Sequence, residues 1–126
     1  MKCPNCNTKN EIVQIEWIGN NKIIVEGFYC KECHQLIICK VTDNALRIEL
    51  FKEFELFNEM KEIKQSINKH MKSEEANSKM TKRIIAIYQN KLQNLDTQYK
   101  EIKRANTIRN KQLIKWYEQE RSLNGR

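Results

Sequence analysis

Two cysteine pairs, Cys3-Pro4-Asn5-Cys6 and Cys30-Lys31-Glu32-Cys33, constrain this chain more than anything else in it. Between them lies a stretch that reads as one β-hairpin, so folding sets the two pairs side by side. Four thiolates gathered in this way make the closed tetrahedral shell that a structural zinc ion favours, with no coordination position left for substrate.

The spacing of Cys3, Cys6, Cys30 and Cys33 resembles that of the zinc-ribbon family, over roughly the first third of the chain. The resemblance implies a fold and a bound Zn2+ ion, and it says little about function. In such knuckles the residue after each second cysteine commonly bends left-handed, so that backbone N–H groups point at sulfur. Many zinc ribbons carry glycine there. Here the residues are Asn7 and His34, two of the non-glycine types that best tolerate that conformation.

Other readings of the cysteines explain less. No secretory signal with an apolar core precedes Cys3, so disulfides in an oxidising compartment have no support. Cys30-Lys31-Glu32-Cys33-His34 matches the C-x-x-C-H pattern of c-type haem attachment, but that reading leaves Cys3 and Cys6 without a role and requires export. A redox dithiol needs one pair and usually a βαβ setting, which the pattern lacks. The fifth cysteine, Cys39, has no partner at knuckle spacing and reads as a small buried hydrophobe.

The alternation from Glu11 to Ile18 puts Val13, Ile15 and Trp17 on one face of a strand. Gly19-Asn20-Asn21 supplies a tight turn, and Lys22 to Tyr29 returns with Ile23, Val25 and Tyr29 on one side. Gln35 to Val41 is a third strand, and Thr42-Asp43-Asn44 offers caps to a following helix. So small a sheet buries too little apolar area to stand alone. Metal binding, worth ~10–16 kcal/mol in structural zinc peptides, supplies the difference.

From Ala45 onward the pattern is helical, with few helix breakers. Leu46, Leu50, Phe57, Met60, Ile67 and Met71 follow a 4-3 spacing, widened by Phe51, Phe54 and Ile63. A second seam runs through Ile85, Tyr88, Leu92, Leu95, Tyr99, Ile102, Asn106, Arg109, Leu113 and Trp116. The polar stretch from Lys72 to Lys79 separates the two and permits either an antiparallel hairpin, with Asn77 or Ser78 capping the second helix, or one continuous rod that self-associates as a homo-oligomer. The fold class expected is therefore α+β: a three-stranded ribbon over 1–43, then long helices over 44–126 forming an antiparallel hairpin or coiled coil. Trp17, Ile18, Phe28 and Tyr29 cannot all be covered by a three-stranded sheet, so one ribbon face either packs on the first helix through Phe51, Phe54 and Phe57 or forms a partner site.

Charge locates function better than composition does. Residues 1–43 hold five basic and five acidic side chains and residues 44–75 hold six and seven, whereas residues 76–126 hold twelve and four. The excess of eight follows Lys79, Lys82, Arg83, Lys91, Lys100, Lys103, Arg104, Arg109, Lys111 and Lys115, a pattern suited to phosphates or an acidic protein surface. Tyr99, Trp116 and Tyr117 could stack on bases, although Tyr99 and Trp116 fall on the seam. No P-loop, dinucleotide fingerprint or catalytic triad spacing is present, and His34 and His70 stand without a local Ser or Asp, so an enzyme is not expected. No apolar run is long enough to span a bilayer, and a soluble cytoplasmic regulatory or adaptor protein is the expectation. If the hairpin forms, Glu74 and Glu75 lie at its tip. That arrangement resembles Gre-type transcript-cleavage factors, which implies RNA polymerase as a partner.

Overall fold

The computed structural model describes residues 1–19 and 22–123. These form strands β1 (Val13–Ile18), β2 (Ile23–Tyr29) and β3 (Leu36–Thr42), followed by helices α1 (Asn44–Met71) and α2 (Lys79–Leu123). The strands make one antiparallel sheet in the order β1-β2-β3. The α+β class, a ribbon followed by a helical hairpin, is as expected. Of the β1–β2 turn, Asn20 and Asn21 lie outside the described residues. Gly19 enters that turn at φ 63° and its carbonyl accepts the Lys22 N–H at 3.2 Å.

Contacts divide the chain into two compact units, Met1–Ile48 with Asn106–Arg126, and Glu49–Ala105. In the first, a β-bulge interrupts each strand pairing. The extra residue is Ile15 on β1, between Gln14 and Glu16, and Cys39 on β3, between the partners of Glu26 and Gly27. An extra residue reverses the alternation of its own strand beyond it. Simple alternation had put Val25 and Tyr29 together, but the structure buries Val25 and Phe28 and leaves Tyr29 61% exposed. Val13 and Trp17, expected on a packed face, are likewise half exposed. Gly27 sits at the second bulge because β3 crosses too closely for a side chain: a Cβ there would lie 2.1 Å from the Ile37 carbonyl oxygen.

The last part of α2 belongs to this unit and fastens to the sheet through polar contacts. Val41 N–H on edge strand β3 donates to Asn110 Oδ1 at 3.0 Å, and Tyr117 Oη donates to Glu16 Oε2 at 2.5 Å. Arg109 Nη2 donates to Asp43 Oδ2 at 2.8 Å. Asp43 also caps α1: its Oδ1 accepts the Leu46 N–H at 2.7 Å, and its carbonyl accepts the Arg47 N–H.

From Asn106 on, the buried face of α2 runs through Asn106, Asn110, Leu113 and Tyr117. The expected seam used Arg109 and Trp116, one residue earlier in each case. Arg109 is instead exposed and ion-paired, and Trp116 is 37% exposed while Tyr117 is 2% exposed. Asn106 and Leu113 keep their expected places, and the positions between them are set by the sheet, which bonds Asn110 and Tyr117.

The second unit is the hairpin. Met60, Ile63 and Ile67 on α1 and Leu95 on α2 are buried together, flanked by Leu56, Ile85, Tyr88, Leu92 and Tyr99. The pairing is antiparallel. His70 faces Tyr88 with ring centroids 5.8 Å apart, Glu59 lies 3.8 Å from Lys91 Nζ, and Phe57 meets Tyr99 at 6.1 Å. Residues 72–78 break the helix in a run of turn bonds, Ser73 N–H to His70, Ala76 N–H to Ser73 and Ser78 N–H to Glu75 carbonyls. Ser78 Oγ then accepts the Thr81 N–H at 3.1 Å and starts α2. The continuous rod is thereby excluded.

The α1 stripe is narrower than its composition suggests. Leu56 rather than Phe57 continues the 60-63-67 face. Phe51, Phe54, Phe57 and Met71 are each at least half exposed.

Candidate metal centre and basic helix

The knuckles that carry the cysteines repeat each other almost bond for bond. In the first, Asn7 N–H donates to the Cys3 carbonyl at 2.8 Å and Cys3 N–H to the Thr8 carbonyl at 2.8 Å. In the second, His34 N–H donates to the Cys30 carbonyl and Cys30 N–H to the Gln35 carbonyl, both at 2.9 Å. Asn7 and His34 each hold φ at 62°, the left-handed bend expected of them. A tight turn of this kind tucks the first cysteine inward, and Cys3 and Cys30 are 2% and 1% exposed.

β2 carries Cys30 to the first knuckle, and all four Sγ atoms lie within 4.8 Å of one another. Cys6 Sγ is 3.4 Å from Cys30 Sγ, and Cys3 Sγ is 3.6 Å from Cys33 Sγ. Zn–S bonds of about 2.3 Å at tetrahedral angles require sulfur atoms ~3.8 Å apart, so the donor set fits a four-coordinate ion. Disulfides need sulfur atoms ~2.05 Å apart, and all five cysteines are free thiols. His34 is not part of the cluster among the described residues, and one four-sulfur site accounts for both C-x-x-C pairs.

The thiols perturb one another as a crowded anionic site should. Backbone N–H groups, first that of Cys33, lower Cys30 to about 6. At Cys33 the Gln35 N–H pulls downward, but burial and the three neighbouring thiols push it up to about 12. Cys6 is lowered chiefly by Thr8. One ionised sulfur thus opposes ionisation of the next. A divalent cation coordinated by all four sulfurs offsets that conflict by placing positive charge between them.

Sequence reasoning missed the residues that brace this site. Asn10 Nδ2 lies 3.6 Å from Cys30 Sγ, its Oδ1 accepts the Lys31 N–H at 3.1 Å, and its carbonyl accepts the Met1 amino group at 2.8 Å. It therefore ties the chain start to the second knuckle. Thr8 Oγ1 lies 3.2 Å from Cys6 Sγ. Neither position has a spacing signature: Asn10 acts across the hairpin on the second knuckle, and Thr8 acts within the first. Cys39 stays outside the cluster, half-buried against its apolar side with Sγ 3.3 Å from Met1 Sδ. Burial raises its thiol.

The ten basic residues of α2 are not equivalent. Arg109 pairs with Asp43, Lys91 with Glu59 and Lys100 with Asp96, the last at 2.9 Å. Lys103 Nζ lies 5.6 Å from the Tyr99 ring centroid. Lys79, Lys82, Arg83, Arg104, Lys111 and Lys115 are exposed and have no ion-pair partner among the described residues. Turning ~100° per residue, Lys79, Lys82, Arg83, Lys100 and Arg104 of the hairpin unit fall within an arc of about 100° opposite the buried face of α2 there, and Lys111 and Lys115 of the sheet unit lie opposite buried Leu113 and Tyr117. Lys91, Lys103 and Arg109 flank those faces. Glu74 and Glu75 are exposed in the loop between the helices.

No known protein family, curated protein or solved structure matches the chain. The four-cysteine cluster is consistent with a zinc-ribbon-like motif. No helix among the described residues is long and apolar enough to cross a membrane.

Proposed function

We propose that this chain is a non-catalytic cytoplasmic regulatory or adaptor protein whose four thiolates hold a structural Zn2+ ion and whose α2 binds nucleic acid along its phosphate backbone. The observation that carries the reading is the one-sided basic stripe. Five cations share the solvent face of α2 in the hairpin unit and two more lie opposite its buried face in the sheet unit, and the acidic residues that pair with α2 engage mainly cations off those faces. Lys100 is the exception. A helix needs charge for solubility on every exposed face, whereas a polyanion needs it on one.

Zinc is assigned from the donor chemistry. Four soft thiolates in a closed tetrahedral shell suit Zn2+ and leave no site for a reacting water. Its role is to hold the ribbon against the terminal part of α2, which carries Lys111 and Lys115.

Binding of labelled duplex DNA and RNA to the zinc-loaded protein across a salt series tests the reading. Each phosphate neutralised contributes a slope of about −0.9 on a log–log plot for B-DNA. Reversing Arg104, Lys111 and Lys115 to Glu should flatten that slope by roughly three units and leave zinc content unchanged. Absence of binding at low salt defeats the nucleic-acid reading.

The hairpin favours a second reading, in which exposed Glu74 and Glu75 at the loop enter RNA polymerase. It predicts that Glu74→Gln with Glu75→Gln alters transcription in a purified assay without changing nucleic-acid affinity. The stripe variants would do the reverse.

A further inference from the structure

The hairpin presents an open groove that the basic stripe does not use. Two hollows run together along the junction of α1 and α2. One, of about 350 Å³, is lined by Phe57, Met60, Lys61, Lys64, Asp96 and Tyr99. The other, of about 420 Å³, shares Met60, Lys64 and Asp96 and continues to Leu92 and Gln89. From Gln89 to Tyr99 the groove extends ~15 Å at 1.5 Å per residue, the length of about three helical turns.

Its floor is apolar and its rim is positive. Met60, Leu92, Tyr99 and half-exposed Phe57 form the floor. Lys61 and Lys64 stand exposed on the α1 side with no ion-pair partner among the described residues. On the α2 side the charge of Asp96 is met by Lys100, and Lys103 lies over Tyr99. We infer that this groove binds an acidic amphipathic helix of a partner protein, apolar anchors at i, i+4 and i+7 on the floor and carboxylates against Lys61 and Lys64.

The charge selects this occupant. A second copy docked through the same groove would bring Lys61 and Lys64 of both copies into one interface whose lining acid, Asp96, is already paired with Lys100, and that excess of like charge disfavours it. Single-stranded nucleic acid needs open ring faces. Phe57 and Tyr99 instead turn their rings toward each other at 42°, and aliphatic Met60 and Leu92 complete the floor.

The test uses the full zinc-loaded chain and a labelled 14-residue helical peptide with Leu at i, i+4 and i+7 and Glu at flanking positions. Fluorescence anisotropy should give micromolar affinity that weakens with salt. Lys61→Glu with Lys64→Glu should cost about tenfold or more, with circular dichroism unchanged. A peptide with Lys in place of the flanking Glu should then prefer the double variant over the wild type. Arg104→Glu with Lys111→Glu should leave peptide binding alone, so this site and the nucleic-acid stripe fail separately. Three outcomes overturn the inference: no binding of the Glu peptide, equal binding to wild type and double variant, or displacement of the peptide by oligothymidylate. Wild-type dimers that Phe57→Ser dissociates would overturn it as well, by assigning the groove to a second copy.

Discussion

The two units of this molecule reach stability by different routes. In the sheet unit, Cys3, Phe28 and Cys30 are buried beside the four thiols, and Val25, Val41, Leu46, Leu113 and Tyr117 are buried outside that group. The four thiols beside the first group oppose each other's ionisation. In the hairpin unit, buried Met60, Ile63, Ile67 and Leu95 are joined by five flanking apolar side chains, and no titrating cluster is involved. Donor atoms gathered at one point need a metal ion to hold them together. A core built on a seam depends on side-chain volume. α2 takes part in both, so one helix is held by two kinds of force along its length.

Metal removal should separate the units most sharply. Chelation, or Cys3→Ser, is expected to remove most of the ~10–16 kcal/mol that a structural ion contributes and to unfold the sheet. Amide exchange should accelerate over residues 13–42 and, because Asn110 and Tyr117 bond to the sheet, over residues 106–123. Protection between Met60 and Leu95 should persist. Loss of protection throughout would show a single cooperative unit and end the comparison.

The converse perturbation is Ile63→Ala. A buried isoleucine truncated in a packed seam costs ~2–5 kcal/mol. Thermal melts followed by helical circular dichroism should report that loss, while metal stoichiometry and sheet protection stay unchanged. A fall in metal content with Ile63→Ala would show the hairpin supporting the ribbon.

Asp43 offers a smaller and pH-dependent effect in the sheet unit. Partial burial pushes its carboxyl up, but the Leu46 N–H and the Arg109 guanidinium outweigh it and hold the group below the usual carboxylate range. A lowered folded value means that the contribution is present above the ordinary carboxylate pKa of ~3.9 and is lost as pH falls through the lowered value. Asp43→Asn keeps the helix cap but removes the charge, so it should cost ~1 kcal/mol or less. Denaturant melts of the metal-loaded proteins should show that difference constant from pH 8 to pH 5. A difference that grew as pH fell would contradict the pairing.

The smallest effect has the opposite sign. Thr42 is 3% exposed, and its Oγ1 has no hydrogen-bond partner among the described residues. Thr42→Val keeps the shape and removes the unsatisfied hydroxyl, which should stabilise the sheet unit by ~1 kcal/mol. Destabilisation would mean that the hydroxyl finds a partner, such as water, in solution.

Much of the candidate metal site was legible in the chain. Cys3, Cys6, Cys30 and Cys33 could be paired from spacing, and Asn7 and His34 could be assigned their left-handed bends, because a knuckle is a local structure. Strand and helix limits were close to those found for the same reason. The helical hairpin was legible as one of two possibilities. The heptad phase passes through Glu74, Ser78 and Thr81 without a slip, and it took the Ser78 cap and the turn bonds of residues 72–78 to decide between them.

What the residues determined by themselves are the features set by neighbours along the chain: the two knuckles, the strand and helix segments, and the concentration of positive charge after residue 75. Tertiary structure decided the rest. Bulges at Ile15 on β1 and Cys39 on β3 broke the strand register, and on β2 Phe28 went inward and Tyr29 outward. Asn110 and Tyr117 were chosen over Arg109 and Trp116 because α2 meets the sheet there, where contacts override an extrapolated repeat. The lysines were sorted in the same way, since which cations remain unpaired depends on acids such as Asp43 and Glu59, more than thirty residues distant in the chain from Arg109 and Lys91. Periodicity describes one segment at a time; burial and charge pairing depend on what the other segments bring.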